Sequence, residues 1–330
     1  MSKKLYSSAK YKQLLHKRTL KQAQRRHRKL KKPSARPTSR KNKIAFKRKW
    51  KRICAPDNFS MIDNAMETTR FLNRIIESCQ LFNFNVDLRQ VKSMSHESPA
   101  LLLAHIKKAH GKGARFKGSF PFNEKPRKVF EESGIFDFLR SGSEISSKSN
   151  GRIVFRENTQ ILNQVASDLC RLASEKVLGK PKAIPACYGI LLDLMSNTHN
   201  HARLDDEGTE MWWAMVSTDA EQKKAFFTFI DMGLGIFETL PKRRALWYKT
   251  YSTQPRTETL RMLLDGGLDS RTGKSNRGYG IPRLLTRLRQ GAITELRIVS
   301  NDVQADVRSG RLEMMGINFS GTLIYWEVSL

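Results

Sequence analysis

The sequence predicts a mixed α/β protein: a small α/β domain, then a two-layer α/β sandwich, with a basic arm at the N-terminus. Its length of 330 residues corresponds to about two domains. Strand and helix patterns alternate in the first half, which is typical of a parallel sheet, whereas long helices precede mostly adjacent strands in the second half. We therefore expect the arm over residues 1–55, the first domain over 56–140, a linker over 141–152 and the second domain over 153–330.

Basic residues dominate the N-terminal arm. Residues 1–52 contain 22 Lys and Arg and no Asp or Glu, whereas the other 38 basic and 31 acidic residues leave a net charge of +7. Like charges at this density repel one another, so the arm is expected to be disordered or partly helical. We expect its cations to contact the phosphates of nucleic acid, without sequence specificity. The alternative is a solvated tail that only aids solubility.

Apolar spacing predicts the elements of the first domain. Asp57 or Ser60 is a candidate cap for its first helix, and the Ser- and Gly-rich residues 141–152 predict the linker. The expected order is a helix over 58–82, a strand over 84–91, a helix over 99–109, a strand over 114–120 and a helix over 123–133.

The second domain begins with a short strand at residues 153–157. The sequence Gly179-Lys180-Pro181 is expected to separate the two long helices that follow. The expected order is helices over 159–178 and 182–202, strands over 211–218 and 225–231, a helix-rich insert up to Gly267, a helix over 281–290 and two closing strands.

Several protein classes are disfavoured by composition. The sequence contains no apolar run of about 18 residues and no apolar segment at its start, so neither a membrane span nor a secretory signal is expected. Its four cysteines show no metal-type spacing and are interpreted as reduced thiols. These features predict a cytoplasmic protein.

Polar residues at helical spacing form the first candidate site. Asp193, Asn197 and His201 are four residues apart, so they share one face of a helix. Carboxylate and carboxamide oxygens one turn apart suit a water molecule and Mg²⁺.

Three glycine-containing segments complete this candidate site. An apolar strand leads to Asp231, and Gly233 and Gly235 follow in a tight turn that permits close approach to a ligand. A loop over 266–280 leads into a helix whose free N–H groups, together with nearby cations, suit phosphate. The final strand begins at Thr322. The candidate phosphate-binding residues of the loop are Lys274, Arg277, Gly278, Tyr279 and Gly280.

These four segments resemble, in order and spacing, the ATP-binding fold of gyrase, heat-shock chaperones, histidine kinases and MutL, called the GHKL or Bergerat fold. The resemblance implies that ATP and Mg²⁺ are the cofactors, with Asn197 as a Mg²⁺ ligand and Asp231 bound to the adenine amino group. It implies an ATP lid around Gly278 and Gly280. Asp193 stands where the family usually has a Glu, and a water-orienting catalytic role is implied for it.

Residues 86–139 resemble a STAS domain, the fold of anti-sigma-factor antagonists. The resemblance lies in a strand ending near Asp87, an apolar helix after a loop, and the segment VFEESGIFDF. The phosphorylatable serine of active antagonists falls near His96 or Glu97, and neither Ser95 nor Ser98 aligns with it. A docking or dimerisation role is therefore favoured over a regulated phosphoacceptor.

Three functions follow as hypotheses. The first is a cytosolic ATP-binding, possibly ATP-hydrolysing, regulatory protein in which Mg-ATP orders the lid and switches contacts with a protein partner or a second copy. The second is a serine/threonine kinase of the anti-sigma-factor type acting on a STAS partner, and the third is a non-enzymatic nucleic-acid-binding protein with a vestigial nucleotide pocket. The pairing of the two modules is typical of bacterial regulation or defence.

Overall fold

Two sheets organise the chain, a parallel sheet of three strands and an antiparallel sheet of five. They are seen in a computed structural model that describes residues 48–136, 139, 151–157, 161–201, 211–240, 254–266 and 280–330. For residues 155–157 and 199–201 it describes the backbone alone. Within these ranges the protein is a mixed α/β structure, as the sequence predicts.

The parallel sheet lies in the N-terminal part of the chain. Its order is β1 (Lys49–Cys54), β3 (Phe82–Asp87) and β5 (Phe116–Ser119), and both pairings are parallel. Helices α1 (Ala65–Ser78) and α2 (Ser98–Gly111) connect these strands, and α3 (Glu124–Glu132) follows β5. The parallel sheet that the alternating strand and helix patterns predict is confirmed.

Strand β1 lies inside the segment assigned to the basic arm. Residues Lys49–Cys54 pair along their whole length with β3, although only Ile53 among them is buried. The sequence KWKRIC lacks the regular apolar alternation of a half-buried strand, so its conformation depends on the partner strand. The helical or disordered arm predicted for residues 1–55 therefore does not include this strand, and residues 1–47 lie outside the described residues.

The first helix is shorter than the predicted range of 58–82. Strand β2 (Asn58–Phe59) pairs instead with β4 (Ser93–Met94) in a small parallel ladder. Between β2 and α1, the Ser60 hydroxyl accepts hydrogen bonds from the backbone N–H groups of Ile62 and Asp63, at 3.2 and 2.9 Å. This turn delays the helix until Ala65, so neither Asp57 nor Ser60 caps it.

The second sheet is antiparallel and has the order β6 (Arg152–Glu157), β7 (Met211–Asp219), β8 (Lys224–Asp231), β10 (Arg311–Ser329) and β9 (Glu295–Asp306). Its helices are α4 (Asn163–Leu178), α5 (Pro185–His201), α6 (Ile236–Thr239), α7 (Arg256–Leu264) and α8 (Gly280–Arg289). Helix α4 ends at Gly179, whose φ is +69°. The break predicted at Gly179-Lys180-Pro181 is confirmed.

Both faces of the five-stranded sheet are buried. On one face, Trp212, Phe229 and Ile324 pack against α4, α5, α7 and α8, and we call this the helix face. On the opposite face, Trp213, Ile230 and Leu323 share a core with residues of α1 and α2. Burial on both faces explains why β7 and β8 have nearly continuous apolar sequences instead of alternating ones. Residues Arg48–Leu330 form one compact unit.

No helix in the described ranges is long and apolar enough to cross a membrane. The four cysteines are free thiols. Cys54 is exposed, whereas Cys79, Cys170 and Cys187 are buried.

Candidate functional site

Four polar or aromatic residues form one row across the helix face of the five-stranded sheet. Asp231 pairs with Trp212 on one side and with Thr322 on the other, and Thr322 pairs in turn with Ser300. Alternation along each strand places all four side chains on the helix face. Trp212 is fully buried, and its indole nitrogen has no hydrogen-bond partner among the described residues. The predicted residues Asp231 and Thr322 are therefore neighbours.

The turn after β8 is built around Asp231 and two glycines. Asp231 Oδ1 accepts a hydrogen bond of 2.7 Å from the Gly233 N–H. Gly235 has a φ of +85°, and a Cβ added there would overlap the carboxamide of Asn301. Glycine is needed at 235 because both the backbone conformation and the space exclude a side chain.

Two residues of β9 hold this turn in place. The Ser300 hydroxyl accepts a hydrogen bond of 2.8 Å from the Ile236 N–H. Asn301 accepts one from the Phe237 N–H at 3.3 Å and donates one to the Leu234 carbonyl oxygen at 2.9 Å. Asn301 itself has a φ of +53°, which Asn tolerates better than most residues. Neither residue was predicted from the sequence. The one feature that could have indicated them is a Ser-Asn pair after a run of apolar strand residues.

Gly321 brings the last strand against β8. Its φ is +131°, and a Cβ there would overlap the Asp231 carbonyl oxygen. Thr322 follows, with its hydroxyl 2.9 Å from that of Ser300. Gly321 was not itself named as a site residue, although it begins the segment GTLIYWEV that predicts Thr322.

Helix α5, which carries Asn197, meets the N-terminal end of helix α8. A Cβ added to Gly280, the first residue of α8, would lie 2.6 Å from Asn197 Nδ2 and 3.2 Å from its Oδ1. The Asn197 carboxamide therefore lies against the N-terminal turn of a ten-residue helix, where free N–H groups and the helix dipole favour an anion.

Asp193 lies between two arginines of α8. Its Oδ1 is 3.1 Å from Arg283 Nη1, and its Oδ2 is 3.6 Å from Arg287 Nη1. Burial lowers the pKa of Arg287, and the nearby Asp193 carboxylate opposes that effect. Gly189 leaves room for the Arg287 guanidinium, because a Cβ at 189 would overlap it. Sequence reasoning did not anticipate that α8 supplies ion-pair partners for Asp193.

Several predicted site residues cannot be placed. Lys274, Arg277, Gly278 and Tyr279 lie outside the described residues, as does the side chain of His201. Within the described ranges, no group of three or more His, Cys, Asp or Glu side chains is arranged to hold a metal ion. The described part of the predicted site consists of Asp193, Asn197, Asp231, Gly233, Gly235, Gly280 and Thr322.

The loop that precedes α2 lies against the five-stranded sheet. His96 stacks on the Phe226 ring with 3.8 Å between ring centroids, and its Nδ1 is 3.0 Å from the Ser217 hydroxyl. Burial lowers the pKa of His96 to about 4. Glu97 is fully buried, accepts a hydrogen bond of 2.8 Å from the Met61 N–H, and has a pKa raised by burial. His96 therefore joins the loop before α2 to the opposite face of the sheet, whereas Glu97 binds the backbone of the turn before α1.

A cavity of about 410 Å³ opens between α4 and α5. It is lined mainly by apolar groups, including Cys170, Ile184 and Tyr188, and by the stems of Arg171 and Lys182. None of the predicted nucleotide-site residues lines it.

Comparison with known proteins finds no family model that matches this chain and no match among curated proteins.

Proposed function

We propose that this protein binds Mg-ATP in a Bergerat-type site and uses it to switch a contact with a partner protein or a second copy. The observation that carries the proposal is the contact between Asn197 and the first residue of α8. This contact joins two of the four segments that resemble the Bergerat family, the helix that carries Asn197 and the segment that ends at Gly280. The row from Asp231 to Thr322 joins the other two, and it lies on the face that also carries α5 and α8.

The described residues fit such a nucleotide. Asp231, at the end of β8, offers a carboxylate to the adenine amino group, and the Gly233–Gly235 turn allows close backbone approach. The α8 N-terminus offers N–H groups to phosphate. Asn197 offers a hard oxygen ligand beside it, and bound Mg²⁺ would neutralise phosphate charge. Lys274 and Arg277 are proposed to contribute further cations from the lid.

The Asp193 contacts favour nucleotide binding with restrained turnover. A carboxylate that orients water needs an accessible acceptor oxygen, and both oxygens of Asp193 face arginine side chains. Hydrolysis is proposed to require a shift of Arg283, whose side chain is 55% exposed. Autophosphorylation of the STAS-like segment is disfavoured, because Ser98 is buried and donates its hydrogen bond to the Phe59 carbonyl oxygen.

The remaining parts are proposed to be regulatory. Residues 1–52 are proposed to contact nucleic acid, and the STAS-like segment to dock a protein partner or to form a homodimer. The closest alternative is a nucleic-acid-binding protein with a vestigial nucleotide pocket.

Nucleotide preference tests the proposed role of Asp231. Asp231→Asn should weaken ATP binding at least tenfold and reduce the preference for ATP over GTP, because a carboxylate acceptor faces the adenine amino group. Asp219→Asn, at the far end of the β7–β8 hairpin, is the matched control and should bind like the wild type. Equal ATP and GTP affinities in the wild-type protein would refute the assignment of Asp231.

A further inference from the structure

One face of the parallel sheet carries aromatic and basic side chains. Trp50, Arg52 and Cys54 alternate along β1 with buried Ile53, so all three lie on the same face. Trp50 pairs with Asn83, and Lys117 of β5 pairs with Asn85 of the same strand. The Lys117 ammonium lies 4.7 Å from the Trp50 ring centroid, which agrees with this placement.

A second aromatic residue lies near the carboxyl end of these strands. Phe122 is 71% exposed, and the Arg89 guanidinium carbon lies 5.9 Å from its ring centroid. The Phe122 N–H donates a hydrogen bond to the Arg89 carbonyl oxygen. Arg89 lies in the turn that follows β3, two residues after Asp87. We call Trp50, Arg52, Cys54, Arg89, Lys117 and Phe122 together the basic sheet face.

The charges of the basic sheet face favour a polyanion. Asp87, which pairs with Cys54, lies beside these residues and is hydrogen-bonded by both Arg52 and Arg89, at 2.7 and 2.8 Å. With Lys117, three cations face one acid, which leaves a net charge of +2. In the sequence, the acid-free segment of residues 1–48 directly precedes β1.

We propose that the basic sheet face binds single-stranded nucleic acid. Exposed aromatic rings flanked by cations suit unpaired bases, which stack on the rings while the cations contact phosphates. A duplex hides the flat faces of its bases, so it cannot use Trp50 and Phe122 in this way. Trp50 is 49% exposed and Lys117 is also exposed. The inference extends the nucleic-acid contact proposed for residues 1–52, and it does not depend on the nucleotide site.

Variants of the full chain distinguish the stacking of bases on Trp50 from the contacts of Lys117 with phosphates. For a 12-nucleotide oligothymidylate, Trp50→Ala should weaken binding about tenfold without changing the salt dependence, because a stacked ring contacts no phosphate. Lys117→Gln should reduce the slope of log affinity against log salt by about 0.7. Trp50→Phe keeps a ring and should bind nearly like the wild type. Met314→Ala removes an apolar side chain that is 51% exposed on β10 and serves as the control.

Cys54 provides a direct probe of occupancy, because it lies on this face and the other three thiols are buried. Oligothymidylate should slow the reaction of Cys54 with a thiol reagent, and duplex DNA at equal phosphate concentration should slow it less. Unchanged Cys54 reactivity together with wild-type affinity in Trp50→Ala would place binding on residues 1–47 alone and overturn the proposal. Protection by an acidic peptide but not by oligothymidylate would overturn it in favour of a protein partner. Absence of oligothymidylate binding would overturn this inference. Binding of duplex DNA in that case would still support the contact proposed for residues 1–52, and the proposed ATP site would stand in either case.

Discussion

Ser300, Asn301 and Gly321 shape the candidate site, although none of them was among the predicted site residues. Ser300 and Asn301 bind the backbone of the turn after β8, and Gly321 brings the last strand against Asp231. They position the backbone of this turn and of the last strand, and Ser300 also contacts the Thr322 hydroxyl.

Gly321 offers the sharpest test of this positioning. Gly321→Ala combines an unfavourable φ with overlap on the Asp231 carbonyl oxygen, so we expect it to lower the free energy of unfolding by about 3 kcal/mol. Gly310→Ala is the control, because its φ is +75° but no atom lies within 4 Å of the added Cβ. Its cost should be about 1 kcal/mol. If urea denaturation shows the same loss of unfolding free energy in both variants, the contact with Asp231 adds nothing to stability.

The ion pairs of Asp193 predict a gain of activity. Arg283→Gln removes one partner, and an exposed ion pair contributes about 0.2–1 kcal/mol. ATP turnover should therefore rise about 1.4- to fivefold, and Asp193→Asn should remove turnover while retaining ATP binding. Arg289→Gln, which breaks the 3.3 Å pair with Asp265 on the same helix, is the control. If phosphate release is unchanged in both Arg283→Gln and Asp193→Asn, Asp193 has a structural role only.

At the scale of elements, the segment over 266–285 is the proposed lid. Its residues Arg271, Lys274 and Arg277 are trypsin sites that precede the first turn of α8. Mg-ATP should slow cleavage after these residues, because bound phosphates attract the cations and order the segment. Digestion fragments separated by mass measure this effect, with cleavage after Lys182 as an internal control. Equal protection of both regions, or of neither, would contradict the lid assignment.

Most elements could be predicted because their own residues encode them. Helices α2 and α5 and strands β7 and β8 have clear apolar patterns, and their predicted ranges agree with the structure to within a few residues. Strand β1 could not be predicted, because its stability comes from pairing with β3, which follows about 30 residues later. The contacts of Asp193 with α8 and of Asp231 with Gly321 likewise join segments that are distant in the sequence. No local sequence pattern indicates such contacts.

At the scale of the whole molecule, the STAS-like segment and the five-stranded sheet meet at His96. Its pKa of about 4 lies below the ordinary value of 6.5, so the unfolded chain takes up a proton between these pH values and the folded protein does not. The contribution of His96 to stability is therefore fully present above pH 6.5 and is lost as the pH falls towards 4, by at most about 3 kcal/mol.

His96→Gln isolates this contribution. Glu97 acts with the opposite sign, because its raised pKa favours the folded state as the pH falls, but it remains in both proteins. The wild type should lose more stability than His96→Gln between pH 6.5 and 4, measured by urea denaturation at several pH values. Parallel pH curves would contradict a buried, neutral His96 at this junction.

Calorimetric titration of the full chain with ATP, with and without Mg²⁺, tests the proposed nucleotide site most directly. The wild type should bind one ATP per chain, more tightly with Mg²⁺, and Asn197→Ala should lose most of that Mg²⁺ dependence. Asp231→Asn should weaken binding under both conditions, and Asn73→Ala, on α1, serves as the matched control for Asn197→Ala. Absence of ATP binding by the folded wild type, or wild-type affinity in both Asn197→Ala and Asp231→Asn, would contradict the proposed site.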